Sequence, residues 1–232
     1  MPYQINLEEV DTDGAIREAA HAVAGDTRLD FLRKGAVATG AAVGGGAVLS
    51  ALAPSAFAAT SHTRPPASFG KGDVGILNYA LTLEYLEAAF YNSATAANLA
   101  LDAQTAAFLK IVTADENAHV AYLKKALGSA AAKSPKFNFK GTTTNVAMFK
   151  ATAQVLENTG VHAYSGQALN IKSGKVVRAA VSILTVEARH ASVIGLINDP
   201  SGNSISPSGP FDTPFSAAKV LAAVKGTGFI VG

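Results

Sequence analysis

The chain has 232 residues, 49% of them hydrophobic, with 19 Lys and Arg against 17 Asp and Glu, a formal charge of +2 and no cysteine. Disulfides, thiolate metal ligands and thiol catalysis are therefore excluded. The lysines are spread along the chain without interleaved aromatics, which argues against nucleic acid as a partner.

Residues 1–30 are polar and acidic; Arg33 and Lys34 then precede an uncharged Gly/Ala-rich stretch from Gly35 to Ala53, closed by Pro54 and the small-residue site Ala56-Phe57-Ala58. A basic flank, an apolar middle and an A-x-A site form the layout of an export signal over residues 1–58, cleaved after Ala58. The run Thr27-Arg28-Leu29-Asp30-Phe31-Leu32-Arg33 resembles a twin-arginine signal with Leu29 in the place of the second arginine. The route is therefore either that path or the general secretory one. The mature protein is expected outside the cytoplasm, whether periplasmic, cell-wall-associated or secreted. The alternative is a retained membrane anchor, since about 20 uncharged residues can span a bilayer; otherwise the membrane is touched only through the signal. Residues 59–232 carry 15 Lys and Arg and 10 Asp and Glu, and suffice for one domain.

Within that domain the first predicted helix carries Glu84 and, seven residues on, Tyr91. The stretch from Asn92 to Asp102 reads as helix end, short loop and N-cap, leading into a second helix with Glu116-Asn-Ala-His119. From Gly128 to Asn145 a Ser/Pro/Gly stretch with a Thr run predicts a long crossover. A third helix holds Glu157 with Tyr164 seven residues later, Asn170 to Lys175 makes a turn with Gly174, and a fourth helix holds Glu187-Ala-Arg-His190. After a Pro/Gly/Ser loop from Asp199 to Pro214, Ser216 to Lys225 predicts a short helix across one end of the bundle. The crossover, at roughly 3.3 Å per extended residue, reaches past the ~30 Å of a 20-residue helix, so the two hairpins can pack in the same sense. The fold expected is all-α: a four-helix bundle of two antiparallel hairpins with a long crossover, plus a short C-terminal helix.

The second hairpin repeats the first: one glutamate, then E-x-x-H after 32 residues in one case and 30 in the other. Residues three apart stand on neighbouring turns of one helix face, so each E-x-x-H offers a carboxylate and an imidazole to the same side. Stepping at 100° per residue places Glu84 with Leu77, Leu81 and Tyr91, Glu116 with Val112 and Leu123, Glu157 with Ala153 and Tyr164, and Glu187 with Ile183 and Ile194. Each glutamate thus falls in a core-facing stripe. A buried carboxylate is costly unless paired or metal-bound. Residues 59–232 contain five glutamates, and four belong to this pattern. The candidate metal ligands are Glu84, Glu116, His119, Glu157, Glu187 and His190, the inventory of di-iron and di-manganese carboxylate centres in bundles. Glu87, whose counterpart is Gly160, is expected at the rim or behind the ligands. Asp115, whose counterpart is Val186, is a candidate hydrogen-bond acceptor for a ligating histidine. Tyr91 and Tyr164 are candidate hydrogen-bond donors or electron relays, and His62 and His162 are expected to be structural or exposed.

The stretches Leu81-Thr-Leu-Glu84-Tyr-Leu-Glu-Ala-Ala-Phe-Tyr91, Ala114-Asp-Glu116-Asn-Ala-His119-Val, Leu156-Glu157-Asn-Thr-Gly160-Val-His-Ala-Tyr164 and Glu187-Ala-Arg-His190 resemble the ferritin-like superfamily, and more closely its exported bacterial members of the desiccation-related type. The resemblance runs from about Gly70 to Ile194, and Phe211-Asp-Thr-Pro-Phe with its helix is also similar. It implies two iron ions, or manganese, with Glu116 and Glu187 as bridges and Glu84 and Glu157 binding one ion each. Three functions follow from different classes: a di-metal oxidoreductase of ferroxidase or peroxide-consuming type, iron storage in a shell of many copies, and a stress-associated bundle in which the metal is structural or lost. The partners expected are metal ions and dioxygen or peroxide, with further copies of the chain as an additional candidate. Catalytic residues are not assigned.

Overall fold

The computed structural model describes residues 63–231. The export-signal expectation over residues 1–58, and His62, lie outside the described residues. Five α-helices follow in order: α1 Gly72–Ala96, α2 Ala103–Leu127, α3 Val146–Gln167, α4 Gly174–Asn198 and α5 Ala217–Thr227. Three of the five helix starts carry a side-chain cap. Asp102 caps α2 by accepting from Thr105 N at 2.9 Å, Asn145 caps α3 by accepting from Met148 N at 2.9 Å, and Ser216 caps α5 through Lys219 N at 3.3 Å. Lys124 and Lys125 lie in the last turn of α2, where cations favour the negative end of the helix dipole. α1 continues one turn past Asn92, because Ala94 is fully buried in the core; Asn98, with φ of 51°, then breaks it.

Helix directions follow from the contacts between them. Tyr91 reaches Glu157 and Tyr164 reaches Glu84, so α1 and α3 are antiparallel. His119 meets Glu187 and His190 meets Glu116, so α2 and α4 are antiparallel as well. The two hairpins therefore point in opposite senses, not in the same sense as expected, because the crossover returns the chain along the bundle before α3 begins. The crossover from Gly128 to Asn145 joins α2 to α3 and is pinned at its start by Asn78. That side chain donates to Phe69 O and Ala130 O, both at 3.0 Å, and accepts from Ala132 N at 2.8 Å.

Two apolar clusters fill the bundle around the glutamates. The first gathers Phe90, Tyr91, Phe108, Phe149, Ile194 and Val220, with Phe90 and Phe149 stacked at 5.6 Å; the second gathers Leu81, Leu123, Leu127, Tyr164 and Ile183. Each such side chain contributes about 1.5–3 kcal/mol by burial.

α5 does not lie across a bundle end. Phe215 N donates to His162 O at 3.0 Å, and beyond α5 Asn138 N donates to Phe229 O at 2.8 Å, so α5 runs lengthwise along α3. Its Ala217 and Val220 are fully buried. Close approach is allowed by Gly166, where a Cβ would lie 1.8 Å from Phe215 O.

Candidate metal centre

Glu84, Glu116, Glu157 and Glu187, one from each bundle helix, are all 0% exposed. Their oxygens and the histidine Nδ1 atoms form two groups, Glu84 with Glu116, His119 and Glu187, and Glu116 with Glu157, Glu187 and His190, the donor atoms of each lying within 4.8 Å of one another. Glu116 and Glu187 belong to both. His119 Nδ1 stands 3.2 Å from Glu84 Oε2, 3.3 Å from Glu116 Oε2 and 3.2 Å from Glu187 Oε1. His190 Nδ1 stands 3.2 Å from Glu116 Oε1 and 3.3 Å from Glu157 Oε2. The E-x-x-H spacing works because three residues along α2 or α4 turn the carboxylate and the imidazole into the same interhelical space.

The donor set fits a pair of cations. Among the described residues, the buried polar atoms left without a hydrogen-bond partner include Glu116 Oε1, Glu157 Oε2, both oxygens of Glu187, and His190 Nδ1. The approaches of His190 Nδ1 to two of these oxygens are ion-pair contacts without hydrogen-bond alignment. Orphaned carboxylate oxygens in a core are expensive; Glu116 Oε1, Glu157 Oε2 and Glu187 Oε1 each lie beside a histidine Nδ1, while Glu187 Oε2 lies against Gly160.

The outer atoms of the cluster are held. His190 Nε2 donates to Asp115 Oδ2 at 3.0 Å, which fixes the tautomer and leaves Nδ1 facing inward. His119 has Val186 in the corresponding place, so only one histidine carries this support. Tyr91 donates to Glu157 and Tyr164 to Glu84, each tyrosine reaching the glutamate of the other hairpin. The sequence places each tyrosine on the face of its own hairpin's glutamate. Two turns are ~10.8 Å, too long a reach along one helix, while the antiparallel neighbour brings the opposite glutamate alongside.

Electrostatics follow from this crowding. Burial raises Glu84 to about 8, and burial with the neighbouring carboxylates lifts Glu157 and carries Glu187 well above the ordinary range. For Glu116 burial works in the same direction, but the two imidazoles outweigh it and draw the group down to about 2. Burial would lower the histidines, yet the carboxylates around them win and raise His119 to about 12 and His190 to about 11. Without metal, protonated imidazoles supply the positive charge among the glutamates.

Glu87 is not at the rim: it is 3% exposed, with its Oε1 beside Gly160 of α3. Asp115 is 41% exposed and borders an open groove of about 480 Å³ between α2 and α4, lined also by Ile111, Arg189, His190 and Val193. His162 is half-buried, its ring stacked 4.1 Å from that of Phe215, outside the cluster. Sequence reasoning missed Asn78 and Asp73, which tie the helix ends; Asp73 accepts from Lys172 N at 3.0 Å and Ser173 N at 2.8 Å, and no spacing in the sequence signals either.

A family model described as a ferritin-like domain matches residues 72–198, the span from the start of α1 to the end of α4. The chain matches no curated protein.

Proposed function

This chain belongs to the ferritin-like domain family, and from that premise we propose that it is an exported protein whose buried carboxylates and histidines hold two iron or manganese ions for metal oxidation or for oxygen or peroxide chemistry. The observation that carries the reading is the sharing of Glu116 and Glu187 between two four-residue groups. Two groups with common carboxylates describe a pair of adjacent ions, not two separate sites.

In this reading Glu116 and Glu187 would be shared between the two ions, Glu84 and His119 would hold one of them, and Glu157 and His190 would hold the other. The chemistry such a pair would supply is electron exchange with dioxygen or peroxide. The chain's own groups do the rest. Tyr91 and Tyr164 hold the outer oxygens of Glu157 and Glu84, so that the free oxygen of each carboxylate is aimed inward. Asp115 keeps the His190 proton on Nε2. The apolar clusters pack around the glutamates, and the groove between α2 and α4 offers small solutes an approach to His190. Carboxylate and imidazole donors without sulfur favour iron or manganese over copper(I) or structural zinc. The layout of residues 1–58 supports export.

Anaerobic loading of the full chain with Fe(II), followed by air, tests the proposal. Two ions per chain, an oxygen-dependent absorbance and consumption of dioxygen are expected. A protein that stays colourless with an unchanged melting temperature would refute metal binding. Metal that raises stability without consuming oxygen would instead make it a structural staple of a stress-associated bundle. Particle size separates storage, because a monomer or dimer cannot form a shell.

A further inference from the structure

We infer that Glu87 is a seventh member of the ligand set, serving the cation pair from the face between α1 and α3 through the gap left by Gly160. The inference rests on the metal-centre reading above and extends it to a residue outside both four-residue groups.

Glu84 and Glu87 are three apart on α1 and therefore share a face. The same step on α3, three past Glu157, arrives at Gly160. A Cβ at that glycine would lie 2.8 Å from Glu187 Oε2 and 3.5 Å from Glu87 Oε1. Two carboxylate oxygens thus border one small space, entered from opposite helices, that any side chain at 160 would close. Glu187 Oε2 has no hydrogen-bond partner among the described residues and is fully buried.

Glu87 itself is 3% exposed, and among the described residues no basic side chain pairs with it. The charges that act on it are Glu187, Glu116, Glu157 and Glu84, all of its own sign. A carboxylate walled in by other carboxylates is costly to bury. Nothing in the packing accounts for it: leucine would fill the same volume without charge. A cation shared with Glu187 does account for it, and also accounts for glycine at the facing position. The pseudo-twofold relation between the hairpins is broken here in the way an extra donor on one side requires, with a carboxylate on α1 and room for it on α3.

Titration of the full chain with Co(II), read by calorimetry and by the visible absorption of the bound ion, tests this with no assay of turnover. Glu87→Gln removes the charge and keeps the shape; Glu87→Asp keeps the charge and withdraws the oxygens by about one C–C bond, ~1.5 Å. Wild type should bind two Co(II). Both variants should weaken at least one of them, on the order of 10–100-fold or more, and both should alter the visible spectrum. Wild-type affinity and spectrum in both variants would overturn the inference. So would weakening by Gln alone with Asp unchanged, because that is the signature of a charge acting at a distance. Absence of Co(II) binding in wild type, read before any substitution, would overturn the metal-centre reading and this inference with it.

Discussion

Replacing Glu187 by alanine removes one donor from both ion positions, whereas replacing Glu84 removes one donor from a single position. Each group offers four side chains, so Glu187→Ala leaves three on each side and Glu84→Ala leaves three and four. Losing an outer partner of a ligand costs ~10–100-fold in affinity, and losing the ligand should cost at least the upper end of that range. A hundredfold is about 2.8 kcal/mol. For a domain of this size each kcal/mol moves Tm by ~2–4 °C, so the metal-loaded Tm should fall by roughly 6–11 °C relative to wild type. Metal-free, the difference should be much smaller, because removing Glu187 also removes a carboxylate that burial and the neighbouring Glu116 hold well above its ordinary range. The assay is Mn(II) content after dialysis, with calorimetric melting in the presence and absence of Mn(II). Two ions are expected for wild type, one for Glu84→Ala and none for Glu187→Ala. Retention of two ions by Glu187→Ala, or losses equal to those of Glu84→Ala, would refute the shared-carboxylate geometry.

In the Mn(II)-loaded protein, where the glutamates are ionised, Tyr91→Phe and Tyr164→Phe should each cost about 1.5–3 kcal/mol, the range for a lost hydrogen bond to a charged group, and should match each other because the two contacts are pseudo-equivalent; chemical denaturation checks both. Gly166→Ala should destabilise by about 1–3 kcal/mol or more, since its methyl would meet Phe215 O at 1.8 Å, and limited proteolysis should then cut between 199 and 216 first. Metal-free stability should fall as pH rises from 5.5 to 8. Glu84 has a folded value of about 8 against an ordinary 4.5, so its contribution is complete below 4.5 and is lost as pH climbs through 8. The histidines, raised to about 12 and 11 from 6.5, act in the same sense above 6.5, while Glu116, drawn down to about 2, acts oppositely only below 4.5. Mn(II) should shrink or reverse that slope, because its ligands must be deprotonated. A metal-free Tm that rises between pH 5.5 and 8 would contradict the buried cluster.

The bundle was legible because its signals are local. The apolar stripe around each glutamate, the caps Asp102, Asn145 and Ser216, and the length of the crossover mark helices and their ends without reference to anything distant in the chain. The juxtaposition of Glu84, Glu116, Glu157 and Glu187 was legible for a different reason, since carboxylates at matching depth in four stripes have one economical arrangement. What stayed hidden depends on which helix becomes whose neighbour. The exchange of Tyr91 and Tyr164 between hairpins is set by the antiparallel pairing of α1 with α3, which no spacing within either hairpin encodes. Glu87 misled because a lone unmatched carboxylate ordinarily turns to water, and only the facing Gly160 leaves it room inside. The path of α5 along α3 turns on the close approach at Gly166, and one glycine in a helix says nothing of what will lie against it.

The exchanged tyrosines also govern how the hairpins can move. Because Tyr91 hangs on Glu157 while Tyr164 hangs on Glu84, sliding α1 past α3 by one turn, ~5.4 Å, would unseat both contacts together, and no other register offers a carboxylate at both ends. The two bonds therefore act as a pair of pins against translation. They stay made if α2 parts from α4 while α1 and α3 remain together, so the path by which ions enter or leave should open along the groove between α2 and α4 rather than by a shear.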